Sequence, residues 1–441
     1  MERNNRSAFL IAAPKSNSGK TLVSLALMQA LVKREITVQP FKCGPDYIDP
    51  MYHAQISGQA SYNLDSWMAS GEHVRSVFYR NLPDQGVAVV EGVMGLFDGA
   101  QKDNGSSAEI ARLLGIPVIL VVDAASMAYS AAPLLSGFKN FDKRVPVTGV
   151  IFNKVSGESH YRFLKEAAAD AGVEPLGYLP ADERLSIKSR HLGLHLPEEN
   201  NKKMFGTAAE LVEKYVLIDR LLELTAWGEN RISESPVLPG KQLTVALASD
   251  EAFNFTYAAN LDALKQMGTV VRFSPLRDKK LPEADLIWLP GGYPELFARQ
   301  LAENKTMRKA VKNFVEHNKT VIAECGGMMY LGKTIIGENG ESEEMCGIFN
   351  MDTTFQNKKL HLGYRQTEPA GFMLKGHEFH YSDLMHQEAA TRFDVKNARG
   401  ITVDMPVLRY KNCWASYMHL YLGENGKMEQ FLNFMMKGTN E

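Results

Sequence analysis

The chain has 441 residues, 45% hydrophobic and 23% charged, so it can bury substantial cores and is long enough for two domains. Its formal charge of −2 gives no electrostatic case for nucleic acid or an anionic membrane as the main partner, and it favours small molecules. The four cysteines are widely spaced and lack CxxC pairing, so they predict neither a disulfide framework nor a zinc knuckle. The apolar run before Pro14 is too short to cross a bilayer or to act as a signal segment, and we expect a cytoplasmic protein.

Strand-like and helix-like segments alternate through the first half of the chain. The β-rich runs are SAFLIAA, ITVQPFK, VAVVEG, IPVILVVDA and VTGVIFN. Between them lie helix-like stretches such as TLVSLALMQALVKRE. This alternation is typical of a parallel α/β sheet, which we assign to a first domain over residues 1–228.

A polar segment, WGENRISESPVLPGKQ, follows a charged helical stretch and shows no hydrophobic periodicity. It contains two prolines and two glycines, which indicates an interdomain linker, placed at residues 229–241. The strand-like runs then resume with LTVALAS, TVVRFSP, ADLIWLPGG, TVIAECGG and CWASYMH. They predict a second α/β domain over residues 242–441.

The segment LIAAPKSNSGKT has the context of a phosphate-binding loop, because an apolar strand leads through small residues into a helix. Backbone N–H groups at such a helix start solvate phosphate, Lys20 reaches the outer phosphates, and the Thr21 hydroxyl ligates Mg²⁺. The usual first glycine is missing, so the motif is a variant. The predicted ATP-binding residues of this loop are Ser16, Ser18, Gly19, Lys20 and Thr21.

Acidic residues follow neighbouring strands of the same half, where a nucleotide site needs carboxylates for its metal. Glu91 lies in VAVVEGVMGLFDG, and Asp46 and Asp49 lie in FKCGPDYIDP. We predict Asp46 and Glu91, with the threonine of the loop, as magnesium ligands, and Asp123 at the end of VILVVDA is a further candidate. Asn153, which closes the last strand of this half, is predicted to contact the purine of ATP.

A cysteine in the second half stands where a strand turns into a helix. TVIAECGGMMYLG places Cys325 at this turn, followed by Gly326 and Gly327, which are poor helix formers. The pattern is that of a nucleophile elbow, and the helix N-terminus is expected to favour the thiolate.

A thiolate nucleophile needs a base that can also protonate leaving ammonia, and we assign His419 in CWASYMHLYLG to this role. The competing histidines are His361, His377 and His380. The oxyanion needs backbone donors, for which Gly292 in LPGGYPELF and the amide of Gly326 are the candidates.

These motifs together resemble the cobyrinic acid a,c-diamide synthase family of glutamine amidotransferases. The resemblance rests on FKCGPDYIDP and EGVMGLFDG in the first half, and on LPGGYPE, AECGGMMYLG, LGYR, GHEFHYS and SYMHLYLG in the second. It covers nearly the whole chain. PDYID and EGVMGL distinguish this family from cobyric acid synthase and from dethiobiotin synthetase, which has only the first half.

The resemblance implies a fold of two α/β domains, a dethiobiotin synthetase-like P-loop domain and a flavodoxin-type class I glutamine amidotransferase domain. It implies that Mg²⁺ and ATP activate acetate carboxylates of a tetrapyrrole, that Asp46, Asp49 and Glu91 support phosphoryl transfer, and that Tyr47 lies near the substrate. Glutamine would supply the ammonia through Cys325 and His419. Related glutaminases carry a glutamate two residues after the histidine, where this chain has Tyr421. We therefore expect a slow glutaminase whose histidine is oriented by another group. Because P-loop synthetases of this sort are often dimers, we also expect a homodimer.

Three alternatives stay open at the level of sequence. The first keeps the same chemistry but changes the macrocycle from cobyrinate to hydrogenobyrinate or nickel sirohydrochlorin. A regulatory P-loop ATPase is a different class of function, which the cysteine elbow argues against. A stand-alone glutaminase with a degenerate nucleotide domain is disfavoured by the intact Lys20, Thr21 and Glu91.

Overall fold

The computed structural model describes residues 6–185, 189–190, 193–194, 199–228, 242–385 and 393–436. The chain divides into two compact units, Met1–Glu234 and Ser235–Glu441. The predicted linker at 229–241 lies outside the described residues. None of the described helices is long and apolar enough to cross a membrane.

The N-terminal unit is built on a parallel sheet. Its strands are β1 (Arg6–Ala12), β2 (Val38–Cys43), β3 (Tyr62–Leu64), β4 (Gly86–Glu91), β5 (Val118–Asp123), β6 (Val147–Val155) and β7 (Glu174–Pro180), followed by the short pair β8 (Ser189–Arg190) and β9 (Gly193–Leu194). Its helices are α1 (Lys20–Lys33), α2 (Ile48–Ser57), α3 (Gly71–Asn81), α4 (Ser107–Leu114), α5 (Ala131–Phe141), α6 (Glu158–Asp170), α7 (Glu199–Tyr215) and α8 (Ile218–Leu224).

The described part of this unit has a sheet in the order β3-β2-β4-β1-β5-β6-β7, with every neighbouring pair parallel. The inner strands are apolar and buried along almost their whole length, as strands covered on both faces must be. Phe9 and Ile11 of β1 share a core with Leu27 and Leu31 of α1 and with Val212 of α7. The predicted parallel α/β class is confirmed, and β3 and β7 were not predicted.

The C-terminal unit has more numerous and shorter strands. They are β10 (Leu243–Ala248), β11 (Gly268–Phe273), β12 (Leu286–Leu289), β13 (Thr320–Glu324), β14 (Thr334–Ile336), β15 (Ser342–Glu344), β16 (Asp352–Thr354), β17 (His361–Thr367), β18 (Leu374–His380), β19 (Asp383–Met385), β20 (Val395–Asn397), β21 (Thr402–Val403), β22 (Val407–Tyr410), β23 (Cys413–Ser416) and β24 (His419–Leu420). The helices are α9 (Ala258–Met267), α10 (Ala298–Glu303), α11 (Lys305–Glu316), α12 (Gly326–Leu331) and α13 (Lys427–Met436).

The main sheet of this unit, in the described residues, has the order β11-β10-β12-β13-β23-β22. It is parallel except for its edge strand β22, which is antiparallel to β23. This sheet confirms the predicted second α/β domain. Two smaller sheets, β15-β14-β16-β19 and β21-β20-β17-β18-β24, were not predicted. The second of these places β18 beside β24, which positions residues of the candidate site.

Candidate active sites

The phosphate loop connects β1 to α1 and has the predicted strand, loop and helix. Gly19 precedes the helix with φ 94°, and a Cβ at this position would lie 2.0 Å from Nδ2 of Asn153, so both backbone and space require glycine. The Ser18 hydroxyl donates to the carbonyl of Lys15 at 3.0 Å, which holds the loop closed, whereas Ser16 is exposed. Asn153 is buried and donates to the carbonyl of Ser18 at 3.1 Å, so it contacts the loop directly.

Lys20 is buried, and its ammonium donates to the carbonyl of Met94. Burial, and then the positive charge of Lys42, lowers the pKa of Lys20 to about 8. A lysine so placed gains from an anionic partner, because a phosphate would compensate the charge that burial destabilises.

The predicted acidic residues come together with the threonine of the loop. The Thr21 hydroxyl donates to Oε1 of Glu91 at 2.6 Å and lies 3.4 Å from Oδ2 of Asp49. Oδ1 of Asp46 accepts from the amides of Ile48 and Asp49 at 2.9 and 3.0 Å, and so caps the start of α2. Tyr47 is the buried residue that directly precedes this helix. Helix α1, strand β4, and helix α2 with the loop before it thus bring a hydroxyl and three carboxyl groups to one place.

Lys42 of β2 lies among these carboxyl groups and was missed by the sequence analysis. Its fully buried ammonium donates to Asp49, lies 3.0 Å from Oε1 of Glu91, and lies 3.9 Å from Oδ2 of Asp46. Burial lowers the pKa of Lys42, but the charges of Asp49, Glu91 and Asp46 outweigh this effect and hold it well above its ordinary value. Lys42 is therefore a cation, balanced by the acidic cluster.

His53 of α2 is a second residue that sequence reasoning missed. It is fully buried, with Nε2 2.8 Å from Oε2 of Glu91 and Nδ1 3.0 Å from the hydroxyl of Ser61. Burial opposes ionisation of Glu91, but Lys42 and His53 outweigh it and lower the pKa of this carboxyl. For Asp49, burial and then the charge of Asp46 raise the pKa well above its ordinary value. Glu91 is thus the firmly ionised member of the cluster.

Asp123 lies outside this cluster of contacts. Its carboxylate accepts from the ammonium of Lys154 at 2.7 Å, and Lys154 is half exposed. Burial opposes ionisation of Asp123, but the hydrogen bond from Lys154 outweighs it and lowers the pKa. The structure gives Asp123 a lysine partner rather than a place beside Glu91.

Cys325 occupies a strained turn between β13 and α12. Its φ of 45° and ψ of −104° are rare for a non-glycine residue. A Cβ on Gly327 would lie 2.1 Å from the carbonyl oxygen of Leu289, and a Cβ on Gly326 would lie 2.8 Å from the ring of Pro294. Both glycines are thus required by close approach, and the chain has the geometry of a nucleophile elbow.

The amide of Cys325 donates to the carbonyl of Ser416 at 2.7 Å, and its sulfur lies 4.0 Å from the carbonyl oxygen of Phe379. Burial, and then the charge of Glu295, raises the pKa of the Cys325 thiol. The amide of Gly326 at the start of α12 acts in the expected direction and lowers this pKa, but burial outweighs it. This helix has only six residues, and the cysteine before it is 3% exposed, so desolvation dominates.

His419 approaches the elbow from β24, where it is buried and paired opposite His377 of β18. A Cβ on Gly291 would lie 2.2 Å from Cε1 of His419, so the imidazole rests against this glycine. Burial, and then the charge of His377, lowers the pKa of His419 to about 3, which keeps the ring neutral and able to accept a proton.

The glycine turn links the two predicted catalytic groups. Gly291 contacts His419, and a Cβ on Gly326 would lie 3.2 Å from the amide nitrogen of Gly292. A Cβ on Gly292 would itself lie 2.1 Å from the carbonyl of Ala252. Cys325, Gly326, Gly292 and His419 are therefore brought together, with Gly291 as the member that the sequence analysis did not name.

Two of the competing histidines, His380 and His361, belong to other interactions, whereas His377 lies opposite His419. Nε2 of His380 lies 2.8 Å from Glu378, whose other oxygen accepts from Arg365 at 2.6 Å, and Nε2 of His361 lies 3.1 Å from Asp383. Ligand atoms of His361, Glu378 and His380 all lie within 4.8 Å of one another, but the carboxylate is already engaged on both oxygens.

Tyr421, at the usual glutamate position, is buried and packs its ring on Tyr257 at 5.2 Å. A different carboxyl group lies near the histidine strand. Glu324, the residue before the cysteine, is buried, and its Oε1 accepts from the amide of Leu420 at 2.9 Å. Burial raises the pKa of Glu324 to about 8. The sequence analysis missed it because an acid inside an apolar strand gives no indication of its partner.

Comparison with known proteins gives two family matches and many full-length relatives. A model described as the CobQ/CobB/MinD/ParA nucleotide binding domain matches residues 9–194, and one described as the CobB/CobQ-like glutamine amidotransferase domain matches residues 244–427. The cobyrinate a,c-diamide synthase of Caldanaerobacter subterraneus is 40% identical, over 94% of this chain and 95% of the relative. The hydrogenobyrinate a,c-diamide synthase of Brucella abortus is 41% identical, over 93% and 98%. The cobyrinate a,c-diamide synthase of Salmonella typhimurium is 38% identical, over 96% of each. The chain therefore belongs to the CobB/CobQ-type family of a,c-diamide synthases, ligases that combine a glutamine amidotransferase domain with a nucleotide-binding domain.

Proposed function

We propose that this enzyme converts the a and c acetate carboxylates of cobyrinate to amides, using glutamine as the nitrogen source and ATP as the activator. The observation that carries the proposal is the presence, in one chain, of the Cys325 elbow and of a phosphate loop whose Thr21 meets Glu91. A regulatory ATPase has no use for a cysteine elbow, and a stand-alone glutaminase has no use for the buried charges around Lys42. The names of the full-length relatives support the same reaction.

In the C-terminal unit, the Cys325 thiol passes its proton to His419 while its sulfur attacks the side-chain amide carbon of glutamine. The carbonyl electrons move to oxygen, and the N–H groups of Gly292 and Gly326 stabilise this oxyanion. The C–N bond then breaks, and the imidazolium returns the proton to the leaving ammonia. Water hydrolyses the remaining thioester, which releases glutamate and restores the thiol.

In the N-terminal unit, an oxygen of the substrate carboxylate attacks the γ-phosphorus of ATP, and ADP leaves. Activation is needed because a carboxylate is a poor electrophile and its oxygen a poor leaving group. Lys20 and Lys42 supply positive charge to the phosphoryl oxygens, Asn153 holds the loop and reads the purine, and Ser16 and Ser18 add donors. Ammonia then attacks the acyl carbon, a proton is lost from nitrogen, and inorganic phosphate leaves.

The donor set fits a magnesium ion, because Thr21, Asp46 and Glu91 offer the hard oxygen ligands that Mg²⁺ prefers. When bound, the ion neutralises charge on the phosphates of ATP. Asp49 lies within hydrogen-bonding distance of both Thr21 and Lys42, where it can orient them. We assign Tyr47, between the two aspartates, to contact with the macrocycle, as the resemblance to the family implies.

The macrocycle is the least determined part of the proposal. Hydrogenobyrinate is the second candidate, since relatives named for it match this chain as closely as those named for cobyrinate. Nickel sirohydrochlorin is the third candidate to test. We further propose that the enzyme is cytoplasmic and that it forms a homodimer. Sedimentation of the purified enzyme would check the homodimer.

The test incubates the enzyme with Mg²⁺-ATP, glutamine and each macrocycle separately, and follows glutamate release and product mass. A gain of two amides on cobyrinate is expected. The Cys325→Ser variant is expected to lose glutamine-dependent synthesis and to keep ammonium-dependent synthesis, since only the nucleophile is removed. Loss of both activities, or glutamine use by the variant, would contradict the assigned roles. ATP and glutamine consumption without a mass change on any macrocycle would overturn the substrate.

A further inference from the structure

We propose that Glu324 is the positioning residue for His419, and that it takes over the orienting task that a carboxylate two residues after the histidine performs in related glutaminases. The inference rests on the proposed glutaminase roles of Cys325 and His419. It concerns a carboxyl group that is joined to the nucleophile through the main chain and, through a hydrogen bond, to the backbone of the residue after the base.

Glu324 is the last residue of β13 and immediately precedes Cys325. Its backbone pairs with Ser416 of β23, and the Cys325 amide donates to the Ser416 carbonyl at 2.7 Å, so the main chain here is fixed by the sheet. The side chain is only 3% exposed. Its position is thus set by the same strand that sets the position of the sulfur.

The carboxyl group of Glu324 is hydrogen-bonded to β24, the strand that carries His419. Oε1 accepts from the amide of Leu420, the residue directly after His419, at 2.9 Å. Oε2 lies 3.4 Å from the indole nitrogen of Trp288, a longer and weaker contact than the bond to Leu420. The bond to Leu420 spans 96 residues of sequence. This bond therefore holds the backbone next to His419 and does not involve the imidazole ring.

Asn260 of α9 secures the same short strand from the other side. Its Nδ2 donates to the carbonyl of Leu420 at 2.7 Å, and its Oδ1 accepts from the amide of Leu422 at 2.7 Å. The peptide groups after His419 are therefore held by two buried polar side chains. A buried amide that lost its acceptor would be left unsatisfied, and β24, only two residues long, would shift to find another partner.

The position of the general base is the property at stake, because a displacement of about 1 Å in a catalytic group lowers turnover by roughly 100-fold. The ring of His419 already lies against Gly291, so it has little freedom to compensate for a shifted main chain. Loss of the Leu420 bond should therefore reduce the rate of the chemical step while the glutamine-binding surfaces stay in place.

The test compares Glu324→Met, which removes the acceptor, with Glu324→Gln, which keeps an acceptor oxygen for Leu420. Glutamate release gives kcat and KM for glutamine, and ammonium-dependent diamide formation reports that the enzyme is folded. For the Met variant we expect kcat to fall roughly 10- to 100-fold, with KM and ammonium use unchanged. For the Gln variant we expect recovery to within about threefold of the parent kcat, as the hydrogen bond is restored. Trp288→Phe, which leaves the Leu420 bond intact, is the matched control and should keep the parent kcat.

An unchanged kcat in the Met variant, equal losses in the Met and Gln variants, a rise in KM alone, or an equal kcat loss in Trp288→Phe would each overturn the positioning role. If the Met variant does not fold, Glu324→Asp decides, because it withdraws the acceptor by one methylene and must lower kcat with KM constant. Cys325→Ser is measured in parallel. If that variant still uses glutamine, the proposed function fails; if it does not, while Glu324→Met keeps full kcat, only the positioning inference fails.

Discussion

Replacement of Lys42 by methionine tests the electrostatics of the nucleotide site most directly. The change keeps the length of the side chain and removes the charge that Asp49 and Glu91 surround at hydrogen-bonding distance. Removal of one partner from a buried ion pair costs about 3–5 kcal/mol, because the remaining charges stay buried without compensation. In a unit of this size, each kcal/mol corresponds to roughly 2–4 °C in Tm, so we expect a loss on the order of 10 °C.

The pH dependence has a defined sign. Lys42 is the largest influence that lowers the pKa of Glu91, so the ionised carboxylate stabilises the parent above pH 4.5 and this contribution is lost as pH falls. The variant lacks the contribution. The difference in free energy of unfolding should therefore be complete near pH 7, and it should shrink only as the pH falls below about 4.5 toward the lowered pKa of Glu91.

Urea denaturation at several pH values, followed by tryptophan fluorescence, measures the effect, because Trp67 and Trp227 are both buried in the N-terminal unit. The control is Lys154→Met, which breaks the half-exposed pair with Asp123 and should cost less than about 1 kcal/mol. Added Mg²⁺ should stabilise the Lys42 variant more than the parent, as it binds carboxylates that have lost their cation. A loss no larger than that of the control, or no response to Mg²⁺, would refute the reasoning.

Two further predictions concern buried groups, one in each unit. Glu324→Gln should become more stable relative to the parent as the pH rises from about 4.5 to 8, by roughly 1.4 kcal/mol per pH unit. The reason is that the raised pKa of Glu324 makes its ionisation in the folded state costly. Urea titrations at pH 5 and 7.5 measure this, and a stability difference that is independent of pH would exclude a neutral Glu324. His53→Ala should lower ammonium-dependent turnover about 10- to 100-fold by releasing Glu91, and a parent-like rate in that assay would show that the Glu91–His53 contact is not needed.

The sequence was sufficient to predict the elements whose signals are local. Long apolar runs such as the one in β5 marked the strands, and the GKT and ECGG strings marked the two turns where a strand enters a helix. Strands of three residues, such as those around Ile335 and Leu384, are too short for any period to be recognised, so the sheet β15-β14-β16-β19 was missed. In the other small sheet, β17 and β18 have seven residues each, but HLGYRQT and LKGHEFH contain few apolar residues to mark a strand.

The missed site residues share a different cause. Lys42 contacts Glu91 because the parallel register of β2 and β4 places the two residues opposite each other. This register cannot be predicted from the sequence of either strand alone. Glu324 meets Leu420 because β13 and β24 end near one another, which again depends on tertiary pairing. The raised pKa of the Cys325 thiol could not be predicted for a related reason, since the burial that outweighs the helix start follows from the packing around the turn.

The two sites use burial in opposite ways. In the N-terminal unit the buried groups stay charged, because Lys42 and Glu91 compensate each other before any substrate arrives. In the C-terminal unit the pKa of the Cys325 thiol is raised and that of the His419 imidazole is lowered, so burial holds both groups neutral. In the proposed glutaminase reaction, the thiolate and imidazolium would form as the sulfur attacks, when the new bond and the oxyanion donors stabilise the charge that the pocket disfavours. A glutaminase with this resting state should hydrolyse glutamine slowly, which suits a synthase whose ammonia is useful only when an activated carboxylate is ready to receive it.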